Sequence, residues 1–214
     1  EWGDWDWEFD TRARTHPHYA LFHHDIPKIV FDENPSVLCW ISSPWSPDYK
    51  MPNDSTVGDQ HPWAVSILTP GPAEFWKYRT FADRFPNEGG ILGASSPATL
   101  RQFLPESERC VGSLSWDHHD NPLASTDSVP GALGHAYATV ETWLGHDPFQ
   151  MDWQDYAFCS ALLQAEGLQE YIYNYRRRMF NSAAAIFWMF NDSWPVTHGW
   201  TIVDYYLRKK LAFH

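Results

Sequence analysis

Hydrophobic and polar positions alternate along this chain in a recurring order: helical spacing, then a short apolar run, then an abrupt cluster of polar groups with an indole. From Pro17, the residues Tyr19, Phe22, Ile26, Ile29 and Val30 recur at helical spacing. Pro17 suits a first turn, Pro27 predicts a kink, and Asn34-Pro35 ends the run. Residues 37–41 form a compact apolar run suited to a strand, which breaks into Ser42-Ser43-Pro44-Trp45. A polar, turn-rich stretch reads as an exposed loop before Asp59-Gln60-His61-Pro62-Trp63 leads into a second strand at 63–68. Residues 72–82 place Phe75, Trp76, Tyr78, Arg79 and Phe81 as a helix packed on that strand would.

A third strand is expected at 84–88, ending in Glu88 before Gly89-Gly90; taken alone, such a glutamate is an ordinary turn residue. Residues 97–104 predict a short helix stopped by Pro105. Residues 105–150 read as a long irregular insertion of the kind that forms lids and binding loops, containing Trp116-Asp117-His118-His119-Asp120. Those neighbours do not have metal-ligand spacing, so rim or surface roles are expected for the two histidines. Asp152 predicts a helix cap, with Tyr156, Cys159, Leu162, Leu163, Leu168, Ile172, Tyr175 and Met179 as the buried stripe and Arg176-Arg177-Arg178 near the negative end of the dipole. Residues 183–190 are near-continuously apolar, as in a strand covered on both faces, and empty into Asn191-Asp192-Ser193-Trp194-Pro195. A closing helix is expected over 201–206 and the basic 208–210. Helices alternating with four strands whose carboxyl ends carry Trp, His, Asp or Glu give the rhythm of a (β/α) barrel entered partway round; a whole barrel has eight.

Composition turns that rhythm towards a ligand. The 214 residues include 13 Trp, 10 Tyr and 13 Phe, more aromatic surface than a core of this size needs. Rings beside Asn, Asp and His suit a pyranose, whose C–H faces stack and whose hydroxyls need fixed partners. A net charge of −12 argues against nucleic acid, and no apolar run approaches the roughly 20 residues that span a bilayer. Cys39, Cys110 and Cys159 are too widely spaced for a zinc site or a disulfide framework and are expected as buried free thiols. The opening Glu1-Trp2-Gly3 is neither a start methionine nor a signal peptide, so the chain reads as the interior of a larger protein and its compartment stays unknown.

Several segments resemble glycoside hydrolase family 2, in its β-mannosidase branch. Arg84-Phe85-x-x-Glu88-x-Gly90 is similar to that branch's Arg-Phe-x-x-Glu-x-Gly, and Trp188-x-x-Asn191-Asp192-x-Trp194-Pro195 to its Trp-x-x-Asn-Asp-x-Trp-Pro. Gly58-Asp59-x-His61-x-Trp63, Ser42-Ser43-Pro44, Gln164-Ala-Glu-Gly167 and Asp204-Tyr205-Tyr206 follow in the family's order. The resemblance implies a (β/α)8 TIM barrel of which residues 1–214 are the C-terminal half, about strands five to eight, as one partial catalytic domain. It implies a retaining exo-acting hydrolase of β-linked mannose, with no cofactor or metal and with Glu88 as nucleophile. Asp59, His61, Trp63, Trp188, Asn191, Asp192 and Trp194 are the implied substrate contacts. The acid/base glutamate is either Glu1 or a residue further upstream. Pro86-Asn87 and Gly89 depart from the family's usual neighbours of the nucleophile, which leaves the sugar open among mannose, glucosamine, galactose and glucuronate; a noncatalytic carbohydrate-binding protein is the alternative from another class.

The chemistry requires two carboxyls about 5–5.5 Å apart, with the nucleophile ionised, a state that Arg84 or a neighbouring Asn is expected to favour. Half a barrel also exposes strand edges, so the segment is expected to need its N-terminal half as partner.

Overall fold

The computed structural model describes residues 17–47, 50–68, 70–125 and 132–214. The readings of Glu1 and of the Trp2-Trp5-Trp7 loop lie outside the described residues. The first predicted helix is present as α1 (Pro17–Ala20), a π-helical turn (Leu21–Asp25) and α2 (Ile26–Glu33). Pro27 lies in the first turn of α2, where a missing N–H is tolerated, and the wide turn directly precedes it.

The four expected strands do not appear as continuous ladders. The only paired strands among the described residues are β1 (Gly93–Ala94) and β2 (His198–Gly199), antiparallel to each other. Residues 37–41 form no strand: Val37 lies in a bend, its N–H on the Asn34 carbonyl, and Val37 and Leu38 are exposed. Residues 63–68 are corrected to a 3-10 turn (Trp63–Val65), because Pro62 interrupts the extended course and Trp63 turns back onto the His61 carbonyl. The extended stretch lies earlier, at 59–61. Residues 84–89 run beside it: Gln60 N–H donates to Phe85 O, and Asn87 N–H to Gln60 O, both at 3.1 Å. On the other side, Ala183, Ile186 and Trp188 donate in turn to Arg84, Pro86 and Gly89, at 2.8, 3.0 and 2.8 Å. Partners rise together in number, so these three segments are parallel neighbours. Pro86 has no N–H to give, which keeps the ladder broken.

Residues 183–190 are not covered on both faces. Ala185 and Phe187 pack against the core, whereas Ile186, Trp188 and Phe190 are 50%, 43% and 60% exposed, an alternation of period two. The helix expected over 72–82 is instead a tighter 3-10 segment (Phe75–Thr80), with Phe75 and Tyr78 inward.

The helix α3 (Pro97–Phe103) follows, capped by Ser96 accepting from Thr99 N–H. The irregular insertion is also corrected: residues 105–150 hold two 3-10 turns (Glu106–Glu108 and Pro148–Gln150), α4 (Leu114–His118), α5 (Pro122–Ser125) and α6 (His135–Leu144). Ser113 caps α4, and Gly145, at φ +68°, takes the left-handed position that ends α6. Trp116 is fully buried.

The long helix α7 (Trp153–Arg177) organises everything above, and Asp152 caps it by accepting from Gln154 and Asp155 N–H. Tyr156, Leu163, Leu168, Tyr171 and Tyr175 form its buried face; Leu162 and Met179, expected there, are exposed, and Cys159 and Ile172 are half-buried. This face is studded with polar groups that hold backbone. Gln164 Nε2 lies at 3.0, 3.1 and 3.2 Å from the carbonyls of Ile91, Gly199 and Thr201. Tyr171 donates to Ile186 O at 2.6 Å, and Asn174 to Phe81 O at 3.0 Å. Gly167 allows the approach, since a Cβ there would stand 2.5 Å from Ile91 Cγ1. The helix therefore splints the parallel segments from behind.

The closing helix over 201–206 is absent. Asp204 accepts from the backbone N–H of Tyr206 and Arg208, a local turn that competes with helix, and only a 3-10 turn (Leu211–Phe213) follows. Lys210, read as part of a basic run, is buried: it donates to Gly93 O and Gly199 O, and burial pushes its amine down to about 8 although Asp192 and Asp204 oppose the shift. Cys110 is exposed and Cys39 and Cys159 half-buried, all three free, so the thiols are less buried than expected. No helix among the described residues is long and apolar enough to cross a membrane.

Candidate functional site

Two adjacent parallel segments bring the central group together. The 59–61 stretch aims His61 at the end of the 84–89 stretch, and the turn after Pro62 folds the Trp63 indole over the same point. Trp63 Nε1 donates to Glu88 Oε2 at 2.9 Å, and His61 Nδ1 lies 3.1 Å from the same oxygen. Oε1 accepts no hydrogen bond from the described residues. Burial pushes the Glu88 carboxyl up, but the contacts from His61 and Trp63, with the charge of His61, outweigh it and hold the group below its ordinary value. Arg84, expected to assist, donates instead to Asn181 Oδ1 and O, and the amide of Asn87 is bonded to Asp59.

Behind His61 is a closed polar network. Its Nε2 is 2.9 Å from Ser43 Oγ, which donates to Asp59 Oδ2 at 2.5 Å. Asn87 Nδ2 donates to Asp59 Oδ2 at 2.8 Å and lies 3.0 Å from Ser43 Oγ. The other Asp59 oxygen accepts from Trp40 Nε1 at 2.7 Å and from Trp45 N–H at 2.8 Å. Asp59 and His61 are each only 3% exposed. Ser43, Trp40 and Asn87 are the participants that sequence reading did not place. The one signal was the position of Asn87, directly before Glu88.

Trp188 adjoins this group through its backbone, donating to Gly89 O, and its ring is half-exposed. The carbonyl of Trp188 would lie 2.7 Å from a Cβ at residue 90, so Gly90, at φ +159°, is required for the approach. Trp200 meets Trp63 edge to face at 5.9 Å, and its ring lies 3.7 Å from where a Cβ at residue 90 would stand, a further indole that sequence reading missed. The remaining expected residues are held elsewhere. Asp192 is buried and accepts from Thr201 Oγ1 at 2.8 Å, and burial raises its carboxyl although Thr201 and Lys210 oppose this. Asn191 is exposed and donates to the Asp192 carbonyl, and Trp194 stacks on His119 at 5.2 Å and 15°. His119 is pinned in turn by Pro195 O, 2.7 Å from Nδ1. Asp120 belongs to the interior, 2.7 Å from both His198 Nδ1 and Tyr137 OH.

No family model matches the chain. It is 30% identical over 202 residues to β-mannosidase B of Emericella nidulans and 29% identical over 202 residues to that of Aspergillus terreus, matching 92% of this chain in each case. The chain is β-mannosidase-like. This β-mannosidase-like chain spans 22% of the length of those relatives. Its fold matches part of the β-D-mannosidase of Dictyoglomus thermophilum with a TM-score of 0.76, at 24% identity, over 91% of this chain and 22% of that one. This similarity agrees with the resemblance carried by the segments around Glu88 and Trp188.

Proposed function

We propose that this chain supplies the nucleophile half of the catalytic (β/α)8 barrel of a retaining exo-β-mannosidase, with Glu88 as the nucleophile. The observation that carries the reading is the Glu88 carboxylate, held below its ordinary value with Trp63 donating to one oxygen and His61 beside it, while the other oxygen accepts no hydrogen bond from the described residues. The parallel course of 59–61, 84–89 and 183–188 supports the barrel, and similarity to β-mannosidases supports the sugar. Trp188 and Trp200 are the surfaces on which a pyranose stacks, with Trp63 bounding the carboxylate. Asn191, Asp192 and Trp194 shape the neighbouring rim. Glu1 or an upstream residue provides the acid/base that protonates the leaving oxygen and later activates water. The other half of the barrel covers the exposed row of Ile186, Trp188 and Phe190.

A 2-deoxy-2-fluoro mannoside with a good leaving group tests the assignment. The electron-withdrawing fluorine slows both steps, the leaving group restores the first, and the glycosyl ester accumulates. In the full-length protein the label is expected on the tryptic peptide 85–101, at Glu88. A label on another carboxylate removes Glu88 from the role.

The direction of the Glu88 shift gives a second expectation. Activity needs the carboxylate, so the acid limb of kcat/KM lies below the ordinary glutamate range and activity falls as the pH drops through it. Trp63→Phe deletes one donor and should move that limb to higher pH; an unmoved limb would show that the indole does not tune the group.

A further inference from the structure

Away from Glu88, the 3-10 segment Phe75–Thr80 and α6 border a cleft of about 430 Å3, lined by Glu74, Trp76, Lys77, Thr142 and Trp143. That size falls within the ~300–1,000 Å3 of ligand pockets. The indoles of Trp76 and Trp143 meet at 5.0 Å and 77°, so they form two walls of one corner. Trp143 is fixed before anything binds: its ring stacks on Phe75 at 4.3 Å and 16°, and its Nε1 donates to Ala73 O at 2.9 Å. Trp76 is 55% exposed, with the Arg79 guanidinium 5.3 Å over its ring and Arg79 itself clamped by both oxygens of Glu170. A large exposed indole beside an immobilised one offers apolar area at little ordering cost. Around the rings, Glu74, Lys77 and Thr142 are exposed, and no hydrogen bond from the described residues engages their side chains.

The charges select among the ligands that an aromatic corner can take. Glu74 balances Lys77 and Glu170 balances Arg79, so the cleft favours a neutral molecule. An onium ion would meet Lys77 in the wall and Arg79 already over Trp76. A proline-rich segment offers carbonyls but few N–H donors, which leaves the Glu74 carboxylate without a partner. A pyranose satisfies every group: its C–H face lies on an indole, its hydroxyls donate to Glu74 and accept from Lys77, and Thr142 can do either. We propose that this cleft is a second sugar-binding site, which holds a unit of a β-mannoside chain apart from the residues around Glu88. Trp76 is the stacking platform, Trp143 the fixed wall, and Glu74 and Lys77 the hydroxyl partners. The site shares no residue with the Glu88 group. That it takes a sugar stands on the cleft itself; that the sugar is mannose rests on the reading of the Glu88 site. Gripping a long substrate by an internal unit keeps its ends at a raised local concentration near the enzyme.

Affinity electrophoresis of the full-length protein, in native gels with and without a soluble β-1,4-mannan, is the test. The mannan should retard the wild type. Trp76→Ala should raise the apparent Kd by about tenfold, while kcat and KM for an aryl β-mannoside stay within about twofold. Trp76→Phe keeps a ring and should restore most of the retardation. Lys77→Ala reads the same wall without touching the packing and should raise Kd by about threefold. Trp188→Ala, beside Glu88, should leave retardation as it is. An unretarded wild type, as when another part of the full-length protein fills the cleft, overturns the site; so does retardation that survives Trp76→Ala or disappears with Trp188→Ala. A β-1,4-glucan that retards the protein where the mannan does not overturns the choice of sugar. The fluoro-sugar label keeps the two readings apart. A label on Glu88 without retardation removes the second site alone, and a label elsewhere with Trp76-dependent retardation removes the nucleophile assignment alone.

Discussion

Glu88→Ala is expected to lower turnover of an aryl β-mannoside by the full-length protein by about four orders of magnitude or more. Without that carboxylate there is no covalent intermediate, and the remaining acid/base cannot both protonate the leaving oxygen and attack. The size of the effect separates this role from binding, because loss of a sugar contact raises KM while leaving chemistry intact. Azide sharpens the test: entering the space of the deleted side chain, it should restore cleavage of an activated substrate and give the inverted α-glycosyl azide. Glu88→Gln keeps shape and removes charge, so it should be comparably slow while still binding mannose. Turnover within tenfold of wild type in either variant would end the proposed mechanism.

The second large effect lies in the core. Trp116→Ala should destabilise the fold by about 3–5 kcal/mol. Trp116 is wholly buried, and its indole donates to Tyr137 OH at 3.0 Å, which donates to Asp120 Oδ2 at 2.7 Å beside His198. Truncation therefore leaves a cavity and strips a donor from a buried polar chain. Trp194→Ala is the control: its ring is half-exposed against His119, so its cost should stay within about 1 kcal/mol. Equilibrium denaturation monitored by tryptophan fluorescence distinguishes the pair, and equal losses would show that Trp116 is not part of the core.

Trp116 also shows which parts of this fold sequence reading can reach. The helix from Asp152 was legible because its cap and its stripe are local, lying within one element. Residues 105–150 looked irregular because their helices are short and their apolar residues answer to α7 and β2, at a distance no local window spans. Pro62 and Pro86 hid the extended segments in a different way: each removes a donor, so the backbone runs parallel to its neighbours without a regular ladder. The polar end of the chain misled for a third reason, since Asp204 turns the backbone through its own side chain and Lys210 points inward to two carbonyls.

The site divides along the same line. Glu88, His61 and Trp63 converge as the motifs implied. Ser43 and Asn87 did not announce themselves, because each is joined to the site through residues distant in sequence, among them Asp59, 16 and 28 residues away. Asp192, expected at the sugar, has its carboxylate on Thr201.

On the proposed mechanism, the approach of Trp63 and His61 to one Glu88 oxygen bears on the second half of turnover. When Oε1 bonds to the anomeric carbon, Oε2 becomes the carbonyl oxygen of the resulting ester, still facing Trp63 and His61. Those groups then polarise that ester, and as water arrives they receive the charge returning to the departing carboxylate. In that mechanism, making and breaking the sugar bond would both be assisted from the side of Trp63 and His61.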